Sequence, residues 1–165
     1  MLTQEVLKEY LNYDPESGIF IWIKPSSSAH HVTRGKPAGT LDESGYMRIT
    51  LFGKRYKSHR LAWFYIHGIW PKVEIDHRNL VRDDNRLDNL READLNQQAC
   101  NKSRYKNNTS GAKGVSWNKY RNRWVAYVNH QGMRRYLGLF ITLEEANQRV
   151  HEHRLKLHQD FANLG

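Results

Sequence analysis

The sequence predicts an α+β protein with two modules, and its composition, its patterning and one break in that patterning support this class. The 165 residues are 39% apolar and 12% aromatic, which is enough to bury a core. Segments with helical spacing of apolar residues alternate with short segments rich in β-branched and aromatic residues. A small-polar stretch with basic neighbours interrupts both patterns around residues 107–111. We therefore expect a first module at 1–103, a linker at 104–111 and a second module at 112–165.

The first module begins with a predicted helix. Apolar residues from Leu2 to Leu11 recur at helical spacing, and the turn-forming residues from Asp14 to Gly18 predict the end of that helix. The elements that follow are predicted strands at 19–23, 46–52 and 55–57 and a helix at 59–67, capped by Ser58 and stopped by Gly68. Together they form a predicted scaffold for the segment that comes next.

Residues 73–101 carry most of the side chains in this module that are suited to chemistry. Their pattern predicts a strand ending at His77, a long polar loop, a short strand and a helix. Asp94 followed three residues later by Gln97 is a capping-box spacing, so the helix should begin just after Asp94. This arrangement places Asp76 and His77 at a strand end opposite polar side chains from a helix.

The first module resembles the HNH endonucleases of the ββα-metal class, in particular the phage and homing-type members. The words that carry the resemblance are HRLAW at 59–63, IDH at 75–77, DN at 84–85 and NLREA at 89–93. The resemblance covers roughly residues 2–103 and implies a ββα-metal nuclease fold. It assigns His77 and Asn89 to the catalytic set, twelve residues apart, and Asp76 and Gln98 to the metal ligands.

The chemistry of phosphodiester hydrolysis explains these residue types. The reaction requires an activated water and a counter-charge for the phosphate and its leaving oxygen. His77 suits the general base because the ordinary pKa of histidine lies close to neutral pH. Asp76 is a hard anionic ligand for Mg²⁺ or Mn²⁺, which would neutralise charge on the phosphate and the 3′-oxygen. Asn89 does not titrate, so we expect it to hydrogen-bond loop backbone.

Two positions depart from the pattern of the family. Gln98 stands where the family usually has Asn or His, and its extra methylene moves the amide oxygen. A misplacement of that order can cost about 10²-fold in rate, so we expect impaired activity. Asn96, Gln97 or Asn101 could supply the ligand instead if the helix register differs. Leu80 stands where such loops more often have Gly, which affects only the path of the loop.

The second module is predicted to be a three-stranded antiparallel sheet packed on one helix. Thr142 and Glu145 form a capping-box spacing at the start of that helix. Alternation in the middle strand places Trp124, Ala126 and Val128 on one face, which can pack on the helix. The predicted strands lie at 112–117, 123–129 and 134–140, with a hairpin turn at 130–133.

This second module resembles the APETALA/ethylene-response-factor DNA-binding domain, whose three-stranded sheet lies in the major groove. The resemblance is carried by GAKGVSW, RWVAYV and RRYLGLFITLEEA within residues 111–146. It implies that the sheet face away from the helix binds DNA. The positions whose family counterparts face DNA are Lys113, Ser116, Asn118, Tyr127, Asn129, Arg134 and Tyr136, and Arg121 and Arg123 are expected to add phosphate contacts.

The distribution of charge supports a nucleic-acid partner. From Cys100 onward there are 12 Lys and Arg against 4 Asp and Glu, so most of the net charge of +9 lies in the last 66 residues. Nine basic residues and no acid lie between Lys102 and Arg135. A field of one sign at that density attracts a polyanion and speeds its arrival. The expected partner is double-stranded DNA, although a basic surface kept for solubility would have a similar composition.

The compartment is indicated by simpler features. The single cysteine, Cys100, excludes a disulfide framework and favours a reducing compartment. No apolar run approaches the roughly 18 residues of a membrane span, and the first ten residues carry acids rather than a basic flank. These features favour a cytoplasmic protein. The resemblance to the HNH endonucleases implies the bacterial host of a phage or mobile element as the setting. We expect a monomer or weak dimer, and because one HNH centre cuts one strand at a time, a monomer should nick.

The sequence is compatible with two other functions. One is a DNA-binding protein with an impaired or inactive HNH site, which the residue at position 98 would explain. The other is an RNA-binding protein, but the chain lacks the aromatic RNP words and the Gly-rich clamp of the common RNA-binding modules.

Overall fold

The computed structural model describes residues 2–24, 34–102 and 107–164, which form two compact units, Met1–Ala93 and Asp94–Gly165. Its helices are α1 (Gln4–Tyr10), α2 (Ser58–His67), α3 (Leu95–Asn101) and α4 (Leu143–His158), with 3₁₀ turns at Leu87–Asn89 and Gln159–Phe161. Its strands are β1 (Leu11–Asp14), β2 (Ile19–Trp22), β3 (Thr40–Leu41), β4 (Met47–Leu51), β5 (Lys54–Lys57), β6 (Glu74–His77), β7 (Leu90–Ala93), β8 (Val115–Asn118), β9 (Arg123–His130) and β10 (Met133–Phe140). The predicted α+β class is confirmed.

The strands of the first unit form antiparallel sheets of two or three strands. The pairs β1–β2 and β6–β7 are separate two-stranded sheets, and β3, β4 and β5 form one three-stranded sheet. Alternate residues of these strands meet α1 and α2 in a single core. The fully buried members of that core include Leu7, Leu11, Phe20, Ile49, Leu51 and Leu61.

Two local predictions in the first unit were wrong. The opening helix ends at Tyr10, because Leu11 to Asp14 pair as a strand with β2. Pairing with a partner strand buries Leu11 and Tyr13, which outweighs the helical spacing of the preceding apolar residues. Ser58 is the first residue of α2 rather than its cap, and Lys57 occupies the N-cap position without a side-chain bond. The predicted stop of α2 at Gly68 is confirmed, with φ at 73°.

The ββα order of the HNH resemblance is present as β6, β7 and α3. Asp94 caps α3, with its side chain accepting from the Gln97 backbone while the Gln97 side chain bonds back to Asp94. This confirms the predicted helix start. The described units divide between Ala93 and Asp94, so α3 belongs to the second unit. The predicted linker at 104–111 lies partly outside the described residues.

A three-stranded sheet and a long helix form most of the second unit. The strand order is β10–β9–β8, and α4 packs on β9 and β10. Gln131 and Gly132 both have positive φ, which is the geometry of a tight hairpin turn between β9 and β10. Thr142 caps α4 with the predicted capping box to Glu145. The core between sheet and helix is formed by Ala112, Val115, Ala126, Ala146 and Val150, with Trp124 packed against it.

No helix in the described ranges is long and apolar enough to cross a membrane.

Candidate HNH active site

His77 is the last residue of β6, and its imidazole is buried. Backbone pairing with β7 places His77 opposite Leu90, and strand alternation directs it to the same buried side as Ile75. The residue is 4% exposed. Burial lowers the pKa of His77 below its usual value, while a hydrogen bond with Asn85 and the charge of Asp76 act in the opposite direction. A lowered pKa keeps the imidazole neutral at pH 7, which is the form that can accept a proton.

A second buried histidine packs edge-on against His77. The ring centroids of His59 and His77 are 5.0 Å apart and their planes are nearly perpendicular, at 88°. His59 is 1% exposed, and burial, with the nearby His77 contributing, lowers its pKa to about 3. The Tyr46 ring lies 5.4 Å from His59 and 6.0 Å from His77. These aromatic neighbours fix the plane in which the His77 ring lies.

Asn85 contacts the imidazole of His77 and was not assigned a role from the sequence. Its Oδ1 lies 3.3 Å from Nε2 of His77, and the Asn85 residue is 2% exposed. The side-chain Nδ2 of Asn85 donates to the Asp83 carbonyl at 3.0 Å. The word DN at 84–85 was visible in the sequence, but only the loop geometry shows that its second residue reaches the histidine.

Asn89 connects two parts of the loop between β6 and β7. Its Oδ1 accepts from the backbone N of Asn79 at 3.0 Å, and its Nδ2 donates to the carbonyl of Asp84 at 2.7 Å. Within that loop Leu80 has a positive φ of 65°, a backbone conformation that glycine adopts more readily than leucine. The amide of Asn89 therefore joins two backbone groups that stand five residues apart in sequence.

Asp76 is paired with a buried arginine across the β6–β7 sheet. Asp76 and Arg91 are direct partners in the strand register, and Oδ2 of Asp76 accepts from both Nε and Nη2 of Arg91. The side chains of Asp76 and Arg91 are 14% and 7% exposed. The pairing of Asp76 with Arg91 was not predicted from the sequence, because the strand register that brings Arg91 opposite Asp76 is a tertiary property.

Asp76 is a suitable ligand for a hard cation. In residues 2–24, 34–102 and 107–164 there is no group of three His, Cys, Asp or Glu that could hold a metal. Mg²⁺ in phosphoryl-transfer sites is commonly held by one or two carboxylates together with water and substrate phosphate. The carboxylate of Asp76 next to His77 fits that type of site. Gln98, the other predicted ligand, is half-buried on α3 in the second unit.

Most residues predicted to bind DNA lie on one face of the sheet in the second unit. Directly opposed residues in antiparallel strands share a face, and β9 alternates so that positions 123, 125, 127 and 129 point the same way. Arg134 stacks its guanidinium 3.8 Å from the centroid of the Tyr127 ring. The predicted residues on this outer face are Ser116, Asn118, Arg123, Tyr127, Asn129, Arg134 and Tyr136.

The other two predicted DNA-binding residues have different environments. Arg121 is exposed in the turn before β9, and its backbone N donates to Oδ1 of Asn118 at 3.1 Å. Lys113 is half-buried, and its ammonium donates to carbonyls of Cys100, Lys102 and Asn163. Burial, together with the nearby guanidinium of Arg154, lowers the pKa of Lys113 to about 8.

Comparison with known proteins identifies the family. A family model described as HNH endonuclease matches residues 56–99, which contain α2, β6, the polar loop and β7. Protein 3.8 of Escherichia phage T7 is 34% identical over 114 residues, a match that covers 68% of this chain and 93% of the phage protein. No solved structure matches the chain. The chain therefore belongs to the same family as Protein 3.8 of phage T7 and contains an HNH endonuclease domain.

Proposed function

We propose that this protein is a metal-dependent DNA endonuclease that hydrolyses phosphodiester bonds in duplex DNA. The observation that carries the proposal is the strand end of β6, where a buried histidine adjoins a carboxylate within the residues matched by the HNH family model. The burial that lowers the pKa of His77 keeps a proton acceptor available at pH 7. A neutral base beside an anionic ligand is the pair of groups that this hydrolysis requires.

Each residue of the site has a separate role in the proposed reaction. His77 takes a proton from the attacking water, and Asn89 holds the loop that follows the histidine. Asp76, with Gln98 as the second proposed ligand, would hold Mg²⁺ or Mn²⁺. A bound ion of this kind supplies positive charge to the phosphate and the departing 3′-oxygen. One site of this type cuts one strand at a time, so the proposed product of a monomer is a nick.

The second unit is proposed to bind duplex DNA through the outer face of its sheet. This face carries Arg123 and Arg134 together with polar and aromatic side chains. The chain from Cys100 onward also holds most of the excess positive charge. Basic side chains on a sheet face can follow the phosphate backbone while amide and hydroxyl groups contact base edges. These features support the likeness to the APETALA/ethylene-response-factor domain.

The phage relative supports a biological setting. Protein 3.8 belongs to Escherichia phage T7. We propose that the present chain also comes from a phage or mobile element, and that it is a homing-type nuclease that acts in the cytoplasm of a bacterial host.

A second candidate function is a DNA-binding protein whose HNH site is impaired. The Arg91 guanidinium on Asp76 favours it, because a cation already neutralises the proposed metal ligand. The longer side chain at position 98 favours it as well.

Incubation of supercoiled plasmid with the full chain and Mg²⁺ or Mn²⁺ separates the two candidates. A nicking enzyme converts the plasmid to relaxed circles, with no product in EDTA or with His77→Ala. A gel shift with no cleavage at saturating metal would establish the second candidate. Linear product without a relaxed intermediate would contradict nicking but retain the nuclease.

A further inference from the structure

The N-terminal hairpin of β1 and β2 contacts the loop that contains Asn85. This hairpin lies outside residues 56–99, the part of the chain that the HNH family model matches. The Tyr13 hydroxyl donates to the Asn85 carbonyl at 2.6 Å, and the backbone N of Leu87 donates to the Pro15 carbonyl at 3.0 Å. Burial raises the pKa of Tyr13, so its hydroxyl stays protonated and remains a donor. Two hydrogen bonds thus attach the hairpin to the loop on either side of Arg86.

The turn of the hairpin fits closely against the same loop. Gly18 has a φ of 73°, and a Cβ built on it would lie 2.4 Å from both the Asn85 carbonyl carbon and the Arg86 nitrogen. Those atoms are backbone and cannot move aside as a flexible side chain could. Only glycine allows this approach of the two chains. The close contact at Gly18 therefore restrains the backbone of Asn85, in addition to the two hydrogen bonds.

The Asn85 side chain has a defined orientation toward His77. Its Nδ2 donates to the Asp83 carbonyl, which can only accept, so the end that faces His77 is the oxygen Oδ1. An amide oxygen also only accepts, so Nε2 of His77 must carry the proton in this contact. In a neutral imidazole with the proton on Nε2, the lone pair that can accept a proton is on Nδ1.

We propose that Asn85 is a positioning residue that holds His77 in the Nε2–H tautomer, and that the N-terminal hairpin holds Asn85 in place. The inference deepens the proposed function, because it rests on His77 being the general base. A histidine in the other tautomer would present a donor where the water proton must be accepted. The effect of Asn85 is therefore on the proton-transfer step and not on DNA binding.

The first test needs no enzymatic activity and no change at Asn85. Long-range ¹H–¹⁵N NMR spectra of the full chain, recorded without metal above neutral pH, distinguish a protonated ring nitrogen from a bare one. The His77 signals are assigned by their loss in His77→Gln. The expected result is one bare nitrogen, Nδ1, and one protonated nitrogen, Nε2. A His77 ring protonated on Nδ1 would overturn the proposal.

Substitutions of Asn85 test whether this residue causes the tautomer. Asn85→Leu removes the acceptor, so His77 should become a mixture of tautomers and kcat for plasmid nicking should fall roughly 10- to 100-fold with KM within twofold. Asn85→Asp keeps an acceptor at the same position, and it should retain the Nε2–H tautomer and recover most of kcat. Asn12→Leu on the exposed side of β1 is the matched control, and it should change neither the His77 tautomer nor kcat.

The hairpin is tested by Tyr13→Phe, which removes one hydroxyl and keeps the ring in the core. We expect partial loss of the single tautomer and a several-fold lower kcat, with KM unchanged. An unchanged His77 tautomer in both Asn85→Leu and Tyr13→Phe would overturn the inference. If Asn85→Leu does not fold, the comparison of Asn85→Asp and Tyr13→Phe with the natural chain still decides the question.

The two proposals fail in different ways. If His77→Ala cleaves DNA as fast as the natural chain, the general-base assignment fails, even if the NMR spectra show the Asn85-dependent tautomer. If His77→Ala is inactive while Asn85→Leu keeps both the tautomer and the rate, the nuclease assignment stands and the role of Asn85 fails.

Discussion

Asp76 and Arg91 face each other across the β6–β7 pair, and the guanidinium of Arg91 donates to Oδ2 of Asp76 from Nε at 3.0 Å and from Nη2 at 2.9 Å. Both side chains are largely removed from solvent. The carboxylate proposed to hold a metal therefore already has a cationic partner. That partner lowers the free energy of a buried negative charge and competes with an incoming ion for it.

Removal of Arg91 should destabilise the first unit. Arg91→Met removes the buried guanidinium that pairs with the Asp76 carboxylate, so the free energy of unfolding should fall by about 3–5 kcal/mol. Urea denaturation measures the free energy of unfolding. A double-mutant cycle with Asp76→Asn isolates the coupling energy between Asp76 and Arg91. The double variant should be more stable than Arg91→Met alone. A coupling energy near zero would show that the two side chains do not interact in solution.

Replacement of His77 should separate chemistry from binding. His77→Ala should abolish cleavage while duplex affinity stays within about threefold, because most binding free energy comes from phosphate contacts. Plasmid nicking and fluorescence anisotropy measure the two properties. His67→Ala, an exposed histidine on α2, is the matched control and should leave both unchanged. A tenfold loss of affinity in folded His77→Ala would contradict the assignment.

Shortening the side chain at position 98 should raise the metal-dependent rate. Asn and His present their ligand atom closer to the backbone than Gln98 does, so Gln98→Asn and Gln98→His should cleave faster at saturating Mg²⁺. Single-turnover nicking is the measurement, and Gln97 is not altered because its side chain caps α3. If both variants cleave as slowly as the natural chain or more slowly, then either Gln98 is the native metal ligand or another residue of α3 is the ligand.

The stability of the first unit should fall in acid because of His59. Its folded pKa of about 3 lies below the unfolded value of 6.5, so the unfolded chain binds the proton more readily. The stabilising effect is complete above pH 6.5 and is lost as the pH falls toward 3. Between pH 7 and pH 5 the loss should be about 2 kcal/mol. The lowered pKa of His77 acts in the same direction.

Urea denaturation of the natural chain and of His59→Gln at the two pH values checks this sign. The variant should have a lower stability at pH 7 and a smaller change between the two values. An equal pH dependence in the two proteins would show that His59 is not the titrating group.

The outer face of the second-unit sheet should account for part of the salt dependence of DNA binding. Each lost phosphate contact reduces the log–log salt slope by about 0.9, so Arg123→Ala with Arg134→Ala should reduce it by about 1.8. The matched control is Arg149→Ala with Lys156→Ala on α4, which removes the same charge from the helix. Equal log–log salt slopes for the two double variants would mean that the sheet face does not contact the phosphate backbone of the DNA.

Features that depend on a few neighbouring residues could be predicted from the sequence. The capping boxes at Asp94 and Thr142 and the hairpin turn at 130–133 could be predicted because each is a local agreement between side chain and backbone. The polar loop between two strands could be predicted for the same reason. Local energies are sufficient to specify such elements without knowledge of the fold.

Relationships between distant residues were decided by the tertiary structure. Leu11 to Asp14 form a strand because β2 is available to pair with it, although the preceding residues have a helical pattern. His77 gained two neighbours, His59 and Asn85, that the sequence separates from it by eighteen and eight positions. Which nitrogen carries the proton, and which cation neutralises Asp76, depends on strand register and burial. Both arise only when the chain has packed, because desolvation and cross-strand contact have no counterpart in an isolated segment.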